Sequence, residues 1–331
     1  MNKEPKRTSF ILSWFGQALI DAIIHNSGGR LLARLGGMVA ARLRSWMLYF
    51  DPLVYIDVCG HKLIAPLSHN LPIYQALFPH YDTALPRLCR LVAERRRGCV
   101  IVDIGANIGD TAASLVSVPG VSVVSIEGDE RYFQLLSANT RNWKNVLAIR
   151  AFVAQHSGVV EGQLHRVAGT AGLRSDGQTA SIHGENLEDI LDRVDVHDAI
   201  DIIKIDTDGY DINIIRGALD MIARKKPVIF FEYDQDLFLP HTADGAHIFA
   251  DMLLIWYRMA VVYQNTGEYL LSFDLGDVRI IEDISLYYAI QTTQPYSDIC
   301  VFPAEKTDLF ERFRDEEFQY FSHFSRLKPQ A

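Results

Sequence analysis

From Cys99 onward the chain alternates short apolar runs with longer amphipathic ones, and this alternation constrains the fold more than any other feature. The apolar runs are CVIVDI (99–104), VSVVSIE (121–127), VLAIRAFVA (146–154), AIDIIKID (199–206), VIFFEY (228–233) and RMAVVYQ (258–264). Short, nearly continuous apolar runs suit strands buried on both sides of a sheet. Between them, segments starting near Asp110 and covering 129–142, 187–194, 211–224 and 246–257 read as helices. The alternation predicts an α/β three-layer sandwich around a mainly parallel sheet. Further on, Asn265-Thr266-Gly267 predicts a turn, EYLLSF an antiparallel return, 279–292 a helix and DICVFP (298–303) a last strand. Ligands of such sheets lie beyond the carboxyl ends of the strands, so chemistry is expected at the ends of the first, second, fourth and fifth.

Upstream, LVYIDVCGHKLIAP (53–66) alternates as strand, glycine turn and strand, and 72–97 reads as helical. The 331 residues show no repeat or linker. They divide into a basic amphipathic extension (1–50), a hairpin and helical lead-in (51–98), the α/β domain (99–303) and a C-terminal helix (304–331). A polar, glycine-rich excursion covers 155–186.

The formal net charge of −9 argues against a nucleic-acid binder, which needs clustered Lys and Arg. None of the four cysteines, Cys59, Cys89, Cys99 and Cys300, forms a CxxC pair, so free thiols in a reducing cytoplasm are expected. No run of 18 apolar residues is free of charge, so no membrane span is predicted. Lys3, Lys6 and Arg7 precede an apolar run at 10–20, but Asp21 and His25 interrupt it early and no small-x-small site follows. Phe10, Ile11, Trp14, Phe15, Ala18, Leu19, Ala22 and Ile23 share one helical face, so the segment reads as an uncleaved amphipathic helix. Residues 1–50 carry +5 and the rest −14. Two readings of 8–50 stay open: packing on the main domain or a partner subunit of a homo-oligomer, and peripheral docking on an anionic membrane face.

Four segments carry the chemistry. In VIVDIGANIGDT (100–111), Asp103 ends a strand and Gly105 and Gly109 flank a turn into a helix. Such a turn lets backbone approach a ligand, and the helix start favours an anion, although the glycines do not fit GxGxxG. Glu127 ends the next strand, about 20 residues on, where an acid accepts hydrogen bonds from ribose hydroxyls. In IIKIDTDGYDINIIRGA (202–218), Asp206, Asp208 and Asp211 cluster where strand meets helix. An EF-hand is excluded because Gly217 occupies the twelfth position. The Asp-Thr-Asp also matches the metal site of nucleotide-sugar glycosyltransferases and the nucleophile loop of aspartyl phosphatases, and Asp208 or Asp211 suits a helix cap. In PVIFFEYDQD (227–236), burial should raise the pKa of Glu232 and suit it to take a proton, with Asp234, Asp236 and His241 following.

Taken in order, VDIGANIGDT, SIEGD, NLEDIL, IIKIDTDGYDINIIRGA and PVIFFEYD resemble the FkbM family of S-adenosylmethionine-dependent methyltransferases, over about half the chain (99–264). LIAPLSHNLPIYQALFPHYDTALPRL resembles the lead-in of members associated with bacterial surface polysaccharides; Asp208 stands where many members have Glu. The resemblance implies a Rossmann-like class I methyltransferase fold, with seven strands and the last inserted antiparallel. It implies S-adenosyl-L-methionine as cofactor. Gly105, Asn107 and Gly109 would cradle its methionine half, with Asp103 orienting the turn. Glu127 would hold its ribose, and Ala154 and Gln155 would approach adenine. Methyl transfer from a sulfonium needs an aligned oxygen, excluded water and a group to take the proton. Asp206 is the first choice for that role and Glu232 the second; Lys204, on the strand face of Asp206, would hold its charge state. No ligand set demands a metal. The expected activity is O-methylation of a hydroxyl on a sugar, polysaccharide or lipid-linked acceptor. A metal-dependent glycosyltransferase using Asp206 and Asp208, and a non-catalytic scaffold, are the alternatives.

Overall fold

In the computed structural model, which describes residues 10–26, 31–161, 163–167, 170–174, 181–196, 200–207, 209–234, 247–277, 279–290 and 296–324, the alternating runs do line up in one sheet. Ahead of that sheet come helices α1 (Phe10–Asn26) and α2 (Leu31–Met47), the hairpin β1 (Leu53–Val58) and β2 (His61–Pro66), and helices α3 (Leu71–Leu77) and α4 (Ala84–Arg96). The single helix expected over 72–97 is therefore two. Pro79 and Asp82, the latter at φ 55, occupy the break, and neither a missing N–H nor a left-handed residue continues a helix.

The α/β domain runs β3 (Cys99–Ile104), α5 (Asp110–Leu115), β4 (Val121–Glu127), α6 (Glu130–Thr140) and β5 (Val146–Arg150). The 155–186 excursion is more ordered than its polarity suggests. Near it stand β6 (Phe152–Val153), β7 (Gly158–Glu161), β8 (Gln163–Val167), β9 (Thr170–Arg174) and β10 (Ser181–Glu185), forming a β6-β10-β7 sheet and a β8-β9 ribbon. Then follow α7 (Leu187–Arg193), β11 (Ile202–Ile205), α8 (Asp211–Gly217), α9 (Leu219–Lys225), β12 (Val228–Tyr233), α10 (His247–Leu254), β13 (Tyr257–Gln264), β14 (Tyr269–Asp274), α11 (Arg279–Ala289), β15 (Ser297–Pro303) and α12 (Thr307–Ser322). The helix expected over 211–224 breaks between α8 and α9. Gly217 lies so close to the backbone of Gln155 that a Cβ there would stand 2.4 Å from the Gln155 carbonyl oxygen.

The main sheet has the order β14-β13-β15-β12-β11-β3-β4-β5. The five strands from β5 to β12 are parallel, while β15 runs antiparallel between β12 and β13. The hairpin strand β14, the expected antiparallel return, makes an eighth where the resemblance implied seven, and the sheet is mixed. This order, with its reversed strand between the fifth and sixth, is that of the class I methyltransferase fold. Alternate residues of each strand face opposite layers. Val102, Ile104, Ile203, Ile205, Ile229 and Phe231 pack on one side with residues of α7, α8, α10 and α11. Ile101, Ile202, Val228 and Phe230 pack on the other with α4, α5 and α12. A third cluster joins α1, α2 and the β1-β2 hairpin to Ile108, Ala113, Tyr132 and Leu135, so the lead-in rests beside the glycine turn.

Candidate active site

The parallel register places the carboxyl ends of β3, β4, β11 and β12 side by side. After β3 the chain turns sharply: the Gly105 and Ala106 amides both donate to the Ile126 carbonyl at 3.0 Å, and the Asp206 amide donates to the Ile104 carbonyl at 3.0 Å. Gly105 holds φ 82, and a Cβ there would stand 1.9 Å from the Asp206 carbonyl oxygen, so no other residue fits. Asn107 adopts φ 49. Its amide donates to Glu127 Oε2 at 2.8 Å, while the Asp129 amide donates to Oε1 at 2.7 Å. Glu127 is thereby aimed across the turn. Burial nevertheless outweighs those two donors and pushes its carboxyl up to about 7. Asp129 in turn caps α6, accepting from the Arg131 and Tyr132 amides.

Gly105, Asn107, Glu127, Gly128, Asp129, Tyr132, Phe152, Val153, Asp206, Thr207 and Tyr210 line one cleft. Its far wall is the Phe152–Tyr210 ring pair, with centroids 5.8 Å apart. A second, larger cavity of about 600 Å³ opens under the lead-in. Its lining includes Tyr81, Asp82, Asp110, Lys204, Phe230, Asp298 and Tyr320.

Lys204 and Asp206 stand where the two spaces meet. Lys204 is the register partner of Asp103 on the neighbouring strand, and two residues on from Lys204 the same face presents Asp206. Lys204 Nζ donates to Asp206 Oδ2 at 2.9 Å and lies 3.5 Å from Asp103 Oδ1. Burial works to lower the lysine, but Asp206 and Asp103 outweigh it and hold the ammonium well above its ordinary pKa. Desolvation works to raise the half-exposed Asp206, yet the Lys204 charge and hydrogen bonds with Lys204 and Glu232 outweigh it, leaving Asp206 below the ordinary carboxylate value. Glu232 is buried and shares that hydrogen bond with the Asp206 carboxyl. Desolvation lifts the remaining acids, Asp103 to about 6 and Asp82 and Asp211 to about 7, and Asp110 and Asp298 also rise.

Of the residues singled out by sequence, Gly105, Asn107, Glu127 and Asp206 line the first cleft, Lys204 lines the second, and Glu232 touches Asp206. Asp103 lies fully buried behind Lys204 and lines neither. Gly109 packs on α6, where a Cβ would meet Leu136 at 3.0 Å. Gln155 sits against Gly217 instead of in the cleft, and Phe152 and Val153 take the wall expected of it. Asp211 does not cap α8 through its side chain; its Oδ2 accepts from the Thr207 hydroxyl at 2.9 Å. Asp208, Asp236 and His241 lie outside the described residues.

Sequence reasoning missed four site residues. Asp110 was visible, as the last acid of VDIGANIGD. Asp298 becomes visible only through register, opposite Glu232 on β15. Asp82 comes from the break between α3 and α4. His69 is buried, with its Nε2 3.4 Å from Asn107 Oδ1. Because its Nδ1 accepts from the Leu71 amide, Nε2 carries the proton and donates to Asn107; burial favours this neutral ring by lowering its pKa.

Residues 103–255 match the model of the Methyltransferase FkbM domain. No curated protein matches the chain. Among solved structures it is similar to a methyltransferase FkbM from Methylobacillus flagellatus KT, at 18% identity over 58% of this chain and 55% of that one, with a TM-score of 0.36. It is also similar to an O-methyltransferase from Bacillus cereus in complex with SAH, at 15% identity over 70% and 88%, TM-score 0.37. A third similarity is to a precorrin-6y C5,15-methyltransferase from Geobacter metallireducens GS-15, at 15% identity over 65% and 86%, TM-score 0.34.

Proposed function

We propose that this FkbM-domain methyltransferase moves the methyl group of S-adenosylmethionine to a hydroxyl oxygen of a neutral, sugar-containing acceptor, in the cytoplasm and in the service of polysaccharide or lipid-linked glycan modification. The observation that carries the reading is the Lys204–Asp206 pair at the meeting of two spaces, one shaped for the cofactor and one large enough for an acceptor.

The residues present fit the cofactor. Gly105 leaves bare backbone where a Cβ would intrude, Glu127 presents lone pairs suited to two ribose hydroxyls, and the Phe152 and Tyr210 rings offer an apolar wall for adenine. When bound, S-adenosylmethionine supplies a methyl group on a positively charged sulfur. His69 keeps Asn107 oriented, and Asn107 in turn holds Glu127 through its amide.

Asp206 accepts the hydrogen bond of the acceptor hydroxyl and takes its proton, which aligns an oxygen lone pair toward the cofactor cleft. Lys204 keeps Asp206 ionised for that purpose, and the hydrogen bond with Glu232 steadies it from the other side. Asp82, Asp110 and Asp298, whose raised pKa values favour the protonated form, can donate as well as accept hydrogen bonds with the hydroxyls of an acceptor. That lining suits a neutral polyhydroxyl acceptor. The glycosyltransferase alternative is the weaker one: Lys204 already engages Asp206 Oδ2, and the Gly105 turn has no role in it.

Calorimetry with S-adenosylhomocysteine tests the reading. The wild type should bind it. Asp206→Asn should bind within a few-fold of wild type yet lose about 10²–10⁴-fold in methyl transfer to neutral glycan acceptors. A wild type that does not bind would sink the proposal.

A further inference from the structure

The two N-terminal helices each bury one side and leave the other without cover among the described residues. On α2 the inward side is Ala40, Arg44 and Met47. Met47 is fully buried, and Arg44 donates to the Leu67 carbonyl at 3.0 Å and to Asn70 Oδ1 at 2.9 Å. Opposite that side, at helical spacing, stand Met38, Arg42 and Trp46, and Tyr49 and Phe50 continue the face past the helix end. Trp46 is 69% exposed and Tyr49 is 89% exposed. Edge-to-face contacts join Phe50 to both rings, so the aromatics form one cluster. On α1, Trp14 is 66% exposed, while Gly16 packs inward near Pro52 and Val54.

We propose that this face is an in-plane anchor for the anionic surface of a lipid bilayer. The choice of occupant rests on charge. Residues 1–50 hold seven Lys or Arg against two acids, while the remaining chain carries −14. A second copy would set two such positive segments face to face and gain nothing from their charge. An anionic headgroup layer complements them and repels the acidic α/β domain, which stays outward in solution. Trp and Tyr suit that depth, since their rings are apolar while N–H and O–H reach water. Among the described residues no helix is long and apolar enough to cross a membrane, so the contact lies along the surface. The site would thereby work on acceptors presented at that surface.

Flotation of the full chain with phosphatidylcholine vesicles, with and without about 30% phosphatidylglycerol, tests the proposal. The chain should float with the anionic vesicles, stay behind with the neutral ones, and be released by high salt. Arg42→Ala should weaken partition about fivefold. Trp46→Ser combined with Tyr49→Ser should weaken it further, with an unchanged far-ultraviolet dichroism spectrum. Three results would overturn it: no flotation on anionic vesicles, flotation unchanged in both variants, or a concentration-dependent dimer that Trp46→Ser abolishes, which assigns the face to a second copy.

Discussion

Lys204 Nζ stands 2.9 Å from Asp206 Oδ2, and the two side chains open onto different spaces: the lysine onto the large cavity under the lead-in, the carboxylate onto the glycine-turn cleft. The pair comes from adjacent positions on one face at the end of β11, with Asp103 of β3 behind it and Glu232 of β12 in contact with Asp206. Three neighbouring strands thus set the charge state of one carboxylate.

Removing the lysine tests this arrangement. Without the ammonium, only the Glu232 hydrogen bond is left to oppose the desolvation of Asp206, so its pKa rises. In Lys204→Met the acid limb of the kcat profile should move to higher pH, with a lower plateau. Methyl-transfer rates across pH 5–9 read it. A profile that falls in height with unchanged midpoints would limit Lys204 to a packing role.

The contact of Gly105 with the Asp206 carbonyl predicts the most severe single change in the turn. Alanine at 105 adds both a 1.9 Å overlap with backbone and a left-handed strain at φ 82. Gly105→Ala should cost about 3 kcal/mol of stability and abolish S-adenosylhomocysteine binding. Urea unfolding and calorimetry measure the two effects separately.

Glu127 gives the cofactor cleft a pH dependence of defined sign. Burial raises its carboxyl from 4.5 to about 7, so its contribution to stability is complete below about 4.5 and is lost as pH rises through about 7. The ligand-free protein should therefore become less thermally stable between pH 5 and pH 8, and Glu127→Gln should remove part of that slope. Ribose hydroxyls donate to the ionised form, so S-adenosylhomocysteine affinity should move the other way and strengthen as pH rises through about 7. Calorimetry at pH 6 and pH 8 compares them.

Beside the large cavity, whose lining includes Arg87 and Tyr263, Glu317 ties α12 to the domain. Fully buried, it accepts from Arg87 Nε at 2.5 Å and Nη2 at 2.7 Å, and from the Tyr263 hydroxyl at 2.9 Å. Glu317→Ala leaves Arg87 nearly buried without its counter-charge and should cost about 3–5 kcal/mol. Denaturant unfolding checks this; a cost below about 1 kcal/mol would show that water takes over the vacated bonds.

Sequence alone determined what is local and periodic. Apolar runs with branched residues placed β3, β4, β11 and β12, and strand-end acids followed by helices located Asp103, Glu127, Asp206 and Glu232. The glycine turn was legible because its demand is a backbone one: φ 82 at Gly105 excludes a side chain wherever that residue occurs. What the sequence could not carry is adjacency between strands distant along the chain. Asp298 reaches Glu232 only because β15 inserts antiparallel between β12 and β13, a choice no local pattern encodes. His69 and Asp82 enter because the lead-in folds over the sheet end, and the split of 72–97 into α3 and α4 creates that roof. Phe152 lines the cleft and Gln155 does not for the same reason, since Gln155 lies against Gly217. Tertiary structure likewise decided every charge state here. A carboxyl's pKa depends on how much water it loses and which charges come near, and those distances exist only once the strands are in register.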